Sequence, residues 1–417
     1  MTAVTALHPL IQGWLLEGPL ADHVPAYVER LRRGRYAANT ASKCLNCVAH
    51  FAHWVSMCHI PLALLNDGCI DQFLQYHLPR CDCLGGASRT PSDVHAALAP
   101  LLEILRVACV IAPLPAPVGP VADELQRYDA YMRDARGLAV GSRRGGLRIV
   151  ERLLVARFAG QAIVMAELQP DELRQFIADQ LASLQTISNA VTIGSALRCY
   201  LRYRASCGDS VQALQAVIVS PPNWSLATLP RGLTHDQVDR LLKSFTGDVP
   251  SPRRGLAIIR LALDLGLRSI EINHLHLADI DWRLGTITLK RTKARRQDVL
   301  PLPTVTGRAL EDYLRHERPK SSDQAVFVRH LAPHDQPVGV DAILRVVRDA
   351  FRRVGIPHGR SHALRHTLAC RIVNEGGSIK EVADILRHRS LNTSLIYAKL
   401  DHVALAGVAL PWPGSSL

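Results

Sequence analysis

Six residues in the C-terminal part of this 417-residue chain have the types that transfer of a phosphodiester strand requires: Arg268, Lys293, His362, Arg365, His388 and Tyr397. Four of them fall in one stretch, His362-Ala-Leu-Arg365-His366-Thr367, then Leu386-Arg387-His388-Arg389-Ser390, then Ile396-Tyr397. A tyrosine offers a phenol that can take over a phosphodiester covalently and so conserve the energy of a cut bond. Its ordinary pKa near 10 makes it a poor nucleophile at neutral pH unless neighbouring cations favour the phenolate. Arginine stays charged and presents a planar fork of donors to non-bridging oxygens, where charge builds as phosphorus becomes five-coordinate. Lys293 suits a general acid for a departing 5′ oxygen, His362 a base or an acid, and His388 a hydrogen bond to the phosphate. Such chemistry requires no metal, and no cofactor is expected. Taken singly, each residue reads more commonly as packing or solvation, so the weight lies on the ordered set.

The elements that must position these side chains are legible nearby. A spacing of three on a helix puts His362 and Arg365 on one face. The helix pattern 362–374 stops at Gly376-Gly377, and Ser378-x-x-Glu381 has the form of a capping box opening the next helix. Asn392 is expected to cap a last short helix carrying Tyr397. Upstream, Thr234-x-x-Gln237 opens a helix, and the pattern 255–265 ends at Gly266, which leaves Arg268 at the next turn. A short sheet follows over Ala278–Asp281, Thr286–Leu289 and Val299–Leu302, with a turn at Arg283-Leu-Gly285 and a basic tip, Lys290–Arg296, carrying Lys293.

The formal charge is +12, and its placement is informative. From Ser225 onward there are 29 Lys+Arg against 19 Asp+Glu, while the residues before it have 20 against 18, so the basic excess accompanies the candidate site. A polyanionic partner is therefore expected where the phosphate chemistry would occur. Hydrophobic residues make up 48% and aromatic residues only 5%, with Ala, Leu and Arg plentiful, which predicts a mainly α fold with a small antiparallel β-sheet in the C-terminal domain. No apolar run has bilayer-spanning length and no secretory pattern opens the chain, so no membrane partner and a cytoplasmic location are expected. The ten cysteines then read as reduced thiols. Cys44-x-x-Cys47 with His50 and His53, and Cys81-x-Cys83, can be drawn as metal ligands, but buried cysteines on one helix account for the first group and no metal is expected.

The N-terminal half contains one helical pattern twice. Leu65, Ile70, Gln72, Phe73, Leu74 and Leu78 match Leu168, Leu173, Gln175, Phe176, Ile177 and Leu181 at a constant offset. Tyr27-Val-Glu-Arg-Leu31 similarly resembles Tyr128-Asp-Ala-Tyr-Met132. The proline-rich segment 112–120 joins the two copies, and a second breaker runs from Ser220-Pro-Pro to Pro230-Arg-Gly232. Three domains are expected: 1–112, 121–208 and 225–417.

Over residues 233–400 the chain resembles the tyrosine recombinase, or phage integrase, family. Leu265-Gly-Leu-Arg268-Ser-Ile-Glu271 looks like the family's first arginine box, and Thr292-Lys293 through Val299-Leu-Pro301 like its lysine hairpin. His362-Ala-Leu-Arg365-His366-Thr, Leu386-Arg-His388 and Thr393-Ser-Leu-Ile-Tyr397 look like the second box and the nucleophile segment. The resemblance implies that Arg268, Lys293, His362, Arg365, His388 and Tyr397 are catalytic and that Glu271 and His366 support them. Two departures stand out: Arg387 occupies a place where glycine is common, and Ala294 another where glycine is frequent. Each upstream copy looks like the helical domain with which such enzymes clamp DNA, though one copy is usual. The implied activity is site-specific DNA recombination of the integrase or transposase type through a 3′-phosphotyrosyl intermediate. The expected partners are double-stranded DNA, three further copies of the chain in a homotetramer, and sister recombinases. The rival expectation is a catalytically silent DNA-binding accessory partner of a sister recombinase. The segment Val403–Leu410 before Pro411-Trp-Pro413 is expected either to dock on a neighbouring subunit or to fold back on its own domain.

Overall fold

Apolar residues recur at helical spacing through most of the chain, and among the described residues the computed structural model forms seventeen α-helices from them. It describes residues 4, 7–83, 90–114, 118–184, 187–219, 232–290, 297–356, 359–388 and 390–400. The basic tip with Lys293 and Ala294, most of the second breaker, and the C-terminal segment after residue 400 lie outside the described residues. The chain divides into two compact units, Met1–Ile111 together with Ser225–Leu417, and Ala112–Trp224. Among the described residues no helix is long and apolar enough to cross a membrane.

The first part of the chain holds α1 (Pro9–Leu16), α2 (Val24–Arg33), α3 (Ala38–Met57), α4 (Asp67–Gln72, continued by a π turn Phe73–His77) and α5 (Pro91–Val107). They close on a core that includes Leu45, Phe51, Phe73, Leu98 and Leu102. Buried Tyr27 satisfies its polar end by donating to the Ala97 carbonyl at 2.8 Å. The unit Ala112–Trp224 holds α6 (Pro120–Ala130, continued by a π turn Tyr131–Ala135), α7 (Val140–Phe158), α8 (Pro170–Leu184), α9 (Ile187–Ser206) and α10 (Gln212–Ala216). In its core the Tyr200 hydroxyl donates to Glu124 at 2.9 Å, and Arg204 neutralises that buried carboxylate at 2.7 Å.

The sequence repeat is present in three dimensions. The 3₁₀ turns Leu62–Leu64 and Met165–Glu167, and the starts of α4 and α8, are each 103 residues apart. Leu65 and Leu168, Ile70 and Leu173, and Phe73 and Phe176 are buried pairwise at that same offset, so one packing solution is used twice.

The remaining part opens with α11 (His235–Lys243), whose capping box forms in both directions: Thr234 accepts the Gln237 N–H at 3.3 Å and Gln237 accepts the Thr234 N–H at 3.0 Å. The apolar helix α12 (Pro252–Asp264) follows, then α13 (Ser269–Asn273). Strands β1 (Ile280–Asp281), β2 (Thr286–Leu289) and β3 (Asp298–Pro301) form an antiparallel sheet in that order, with Ile280 opposite Ile287 and Thr286 opposite Pro301. The first strand is shorter than its sequence pattern, because Leu277–Asp279 tightens into a 3₁₀ turn in which Asp279 accepts the His276 N–H at 2.9 Å. Helices α14 (Thr304–His316), α15 (Val340–Arg353), α16 (Ser361–Asn374) and α17 (Ile379–Ile385) complete this part. Tyr397 sits on a 3₁₀ turn, Leu395–Leu400, and Asn392 does not cap it: Asn392 lies inside a separate turn, Leu391–Thr393. The two turns meet at Ser394, which is fully buried with its side chain committed to His388.

Candidate active site

The site is built around the turn that ends α12. Gly266 adopts φ +58°, and an added Cβ would lie 2.7 Å from Leu386 and 3.1 Å from Leu368, so both conformation and space require glycine. The bared Gly266 carbonyl accepts from Arg365, which comes from α16 and is 5% exposed. The second Nη of Arg365 donates to the Leu386 carbonyl at the end of α17. One guanidinium thereby joins the ends of two helices to a third. Charge-assisted hydrogen bonds of this kind contribute about 1.5–3 kcal/mol each.

The next residue of the set, Arg268, precedes α13. Its Nη1 donates to Glu271 Oε1 at 2.7 Å and its backbone N–H to Oε2 at 2.8 Å. Arg387 approaches the same carboxylate from the other side, its Nη2 2.9 Å from Oε2, and also donates to the carbonyls of Ile385 at 2.8 Å and Gly266 at 3.1 Å. Burial would raise the Glu271 carboxyl, but Arg387 and Arg268 outweigh it and hold the group below its usual range. Two guanidiniums thus share one carboxylate, and Arg365 adds a third positive charge bonded only to carbonyls, an excess of positive charge in a largely buried setting. Arg365 registers it, since burial, then Arg268 and Arg387, push its pKa down to about 9, which still leaves it cationic at neutral pH.

Three histidines and the tyrosine complete the cluster. His388 Nδ1 lies 2.6 Å from the Ser394 hydroxyl. Burial first, then Arg365, Arg268 and Arg387, push its pKa down to about 4, so the ring is neutral at pH 7. The Tyr397 hydroxyl lies 2.6 Å from His366 Nδ1, with the residue 3% exposed. Burial pushes the phenol up to about 12 with Cys370 adding to it, while Arg365 pulls the other way. His366 is held below the ordinary imidazole range by burial, His362 and Arg365, so a neutral ring faces a protonated phenol and can accept its proton. His362 stands one turn before His366 on α16, their ring centroids 6.4 Å apart.

Five of the six residues picked out by type and spacing, Arg268, His362, Arg365, His388 and Tyr397, therefore converge, and Lys293 lies outside the described residues. The sequence reading gave His366 a supporting place, whereas it is the residue that touches the tyrosine hydroxyl. It did not find the role of Ser394, which carries no motif signal. Arg387 was visible only as an odd residue at a glycine place; its φ of +55° explains why glycine suits that place, and its ion pair explains what the arginine adds.

Comparison with known proteins shows the family to which the chain belongs. Residues 231–403 match the Phage integrase family profile. Over 406 residues, 96% of each chain, the sequence is 34% identical to the putative integrase/recombinase y4rA of Sinorhizobium fredii. It is 30% identical to the tyrosine recombinase XerC of Oceanobacillus iheyensis over 54% of this chain and 74% of that one. A crystal structure of the XerH site-specific recombinase bound to a palindromic difH substrate shares the fold with a TM-score of 0.52 at 17% identity, covering 81% of this chain and 93% of that one. The chain belongs to the phage integrase family of tyrosine recombinases, enzymes that cut and rejoin DNA at specific sites.

Proposed function

We propose that this recombinase cuts duplex DNA through a 3′-phosphotyrosyl intermediate and serves a mobile element as an integrase or transposase. The observation that carries the covalent step is the 2.6 Å contact between the Tyr397 hydroxyl and the neutral His366 ring, set beside Arg365. In that step the Tyr397 oxygen attacks the scissile phosphorus, its proton passes to an imidazole, and the bond to the 5′ oxygen of the next nucleotide breaks. His366 is the acceptor closest to hand, with His362 one turn away. Arg268 and Arg365 neutralise the charge that grows on the non-bridging oxygens. Neutral His388 presents Nε2–H to the same phosphate in the tautomer whose Nδ1 accepts the Ser394 O–H, 2.6 Å away. Lys293 protonates the leaving oxygen, an assignment that rests on the family resemblance of its hairpin. Reversal with a different 5′-hydroxyl joins the exchanged strand.

The mobile-element reading is supported by the match along nearly the full length to a relative named integrase/recombinase. The duplicated helical unit supports it as well, since two DNA-clamping units suit a long or divided element end. In this reading the protein acts on two duplex sites as a tetramer, alone or with sister recombinases. A silent accessory partner would need neither a hydrogen-bonded Tyr397 nor a charged pocket behind it. The experiment is incubation with a nicked duplex drawn from the ends of the DNA element that flanks its gene. A covalent protein–DNA adduct that survives denaturation and disappears in Tyr397→Phe is expected. Retention of the adduct in that variant would overturn the assignment of the nucleophile.

A further inference from the structure

The segment that follows α4 brings together two histidines and two cysteines, none of them a residue of the recombinase site. His50 comes from the middle of α3, His77 from the end of the π turn, and Cys81 and Cys83 from the chain that leaves it. His50 and Cys81 are buried and His77 and Cys83 half-buried. The four ligand atoms all lie within 4.8 Å of one another. His50 Nε2 is 3.1 Å from His77 Nε2, Cys81 Sγ is 3.5 Å from His50 Nε2, and Cys83 Sγ is 3.7 Å from His77 Nε2. A tetrahedron drawn with zinc–nitrogen bonds of about 2.0–2.1 Å and zinc–sulfur bonds of about 2.3 Å has edges of roughly 3.3–3.8 Å. The contacts fall on those edges, the shortest a little inside them.

The structure assigns a four-coordinate divalent-cation site of the zinc class to His50, His77, Cys81 and Cys83. This differs from the grouping that the sequence suggests, in which Cys44 and Cys47 joined His50 and His53. The structure turns Cys44 and Cys47 toward Tyr27. His53 stacks on Trp14 with ring centroids 4.2 Å apart. The true set could not be read as a spacing motif, because its first member lies 27 residues before the second.

Charge and stoichiometry agree with the assignment. Two neutral imidazoles and two thiolates make a closed set of charge −2, and on loading the two thiols release one proton each, so the filled site is neutral and suits burial. A closed set leaves no position for water or substrate, which makes the ion a structural staple: it holds the end of the α4 segment against α3. The second helical copy shows what replaces it. At the offset of 103, Gln180 on α8 stands where His77 stands and the apolar Leu153 on α7 where His50 stands, and the neighbouring Arg152 donates through Nη1 to Gln180 Oε1 at 3.0 Å. The same junction is thus tied by a hydrogen bond in one copy and by a set of metal-ligand chemistry in the other.

The test uses the full-length, untagged chain purified without chelator. One zinc per chain by elemental analysis is expected, and cobalt loading should give the visible absorption of a tetrahedral thiolate site. Cys81→Ser with Cys83→Ser should abolish both, and the thermal transition should then cease to respond to added zinc. Cys44→Ser and His53→Ala should keep the metal. The assignment is overturned if the purified chain neither contains zinc nor takes it up. It is equally overturned if Cys81 and Cys83 form a disulfide under reducing purification, or if the Cys44 or His53 variants lose the metal while the double cysteine variant keeps it. Cobalt absorption reads the site directly, so the result does not depend on whether the protein recombines DNA.

Discussion

Arg387 and Glu271 meet at 2.9 Å with each side chain 1% exposed, the arginine holding a backbone φ of +55° to do so. An L-residue in that region costs about 1 kcal/mol relative to glycine, while removing one partner of a buried ion pair costs about 3–5 kcal/mol. The pair therefore outweighs the strain. Arg387→Gly should relieve the backbone but leave Glu271 to Arg268 alone, for a net loss of about 2 kcal/mol in denaturant unfolding. Cleavage should slow as well, because Arg268 is then drawn further toward the carboxylate. A variant as stable and active as the parent would show that the pair is incidental.

Gly266 makes a second, sharper test of the same corner. Gly266→Ala places a Cβ 2.7 Å from Leu386 in a left-handed conformation, which shifts the carbonyl that receives Arg365 and Arg387. Single-turnover cleavage should fall about 10- to 100-fold, as expected when a preorganised phosphate-binding group moves. DNA binding measured by gel shift should change far less.

Acidification should act through His388. With its folded pKa pushed down to about 4, the unfolded chain binds a proton between the ordinary imidazole range and that value while the native protein does not. Stability from this group is complete above the ordinary range and is lost as pH falls toward about 4. Melting temperature plotted against pH should therefore drop less steeply below pH 6 in His388→Asn. The lowered pKa of His366 has the same sign for catalysis: the cleavage rate should decline as that ring protonates and can no longer take the phenol proton.

Ser394 offers a probe of orientation without charge. Ser394→Ala removes the hydroxyl that fixes His388 Nδ1 at 2.6 Å and leaves the ring free to turn. A loss of about 10-fold in cleavage with little change in DNA affinity is expected, as for a ring whose tautomer is set by the partner of its other nitrogen. Imidazole NMR shifts should report the altered tautomer. An unchanged spectrum would place the orientation of His388 elsewhere.

The residues alone determined a good deal of this protein. The capping boxes at Thr234 and Ser378, the stop at Gly266, the antiparallel strand order and the helical face of His362 and Arg365 all follow from neighbours within one turn or one hairpin. The repeat at an offset of 103 was visible because each copy buries the same positions. Asn392 was misread as a cap because the segment breaks into two 3₁₀ turns at Ser394, whose side chain is committed to His388. The tertiary structure decided what joins across the fold: Arg387 to Glu271 over 116 residues, His366 to Tyr397 over 31, and His50 to His77 over 27. Local periodicity reports only which face of an element is buried, whereas these pairings depend on how separate elements pack and which polar groups that packing leaves to satisfy one another.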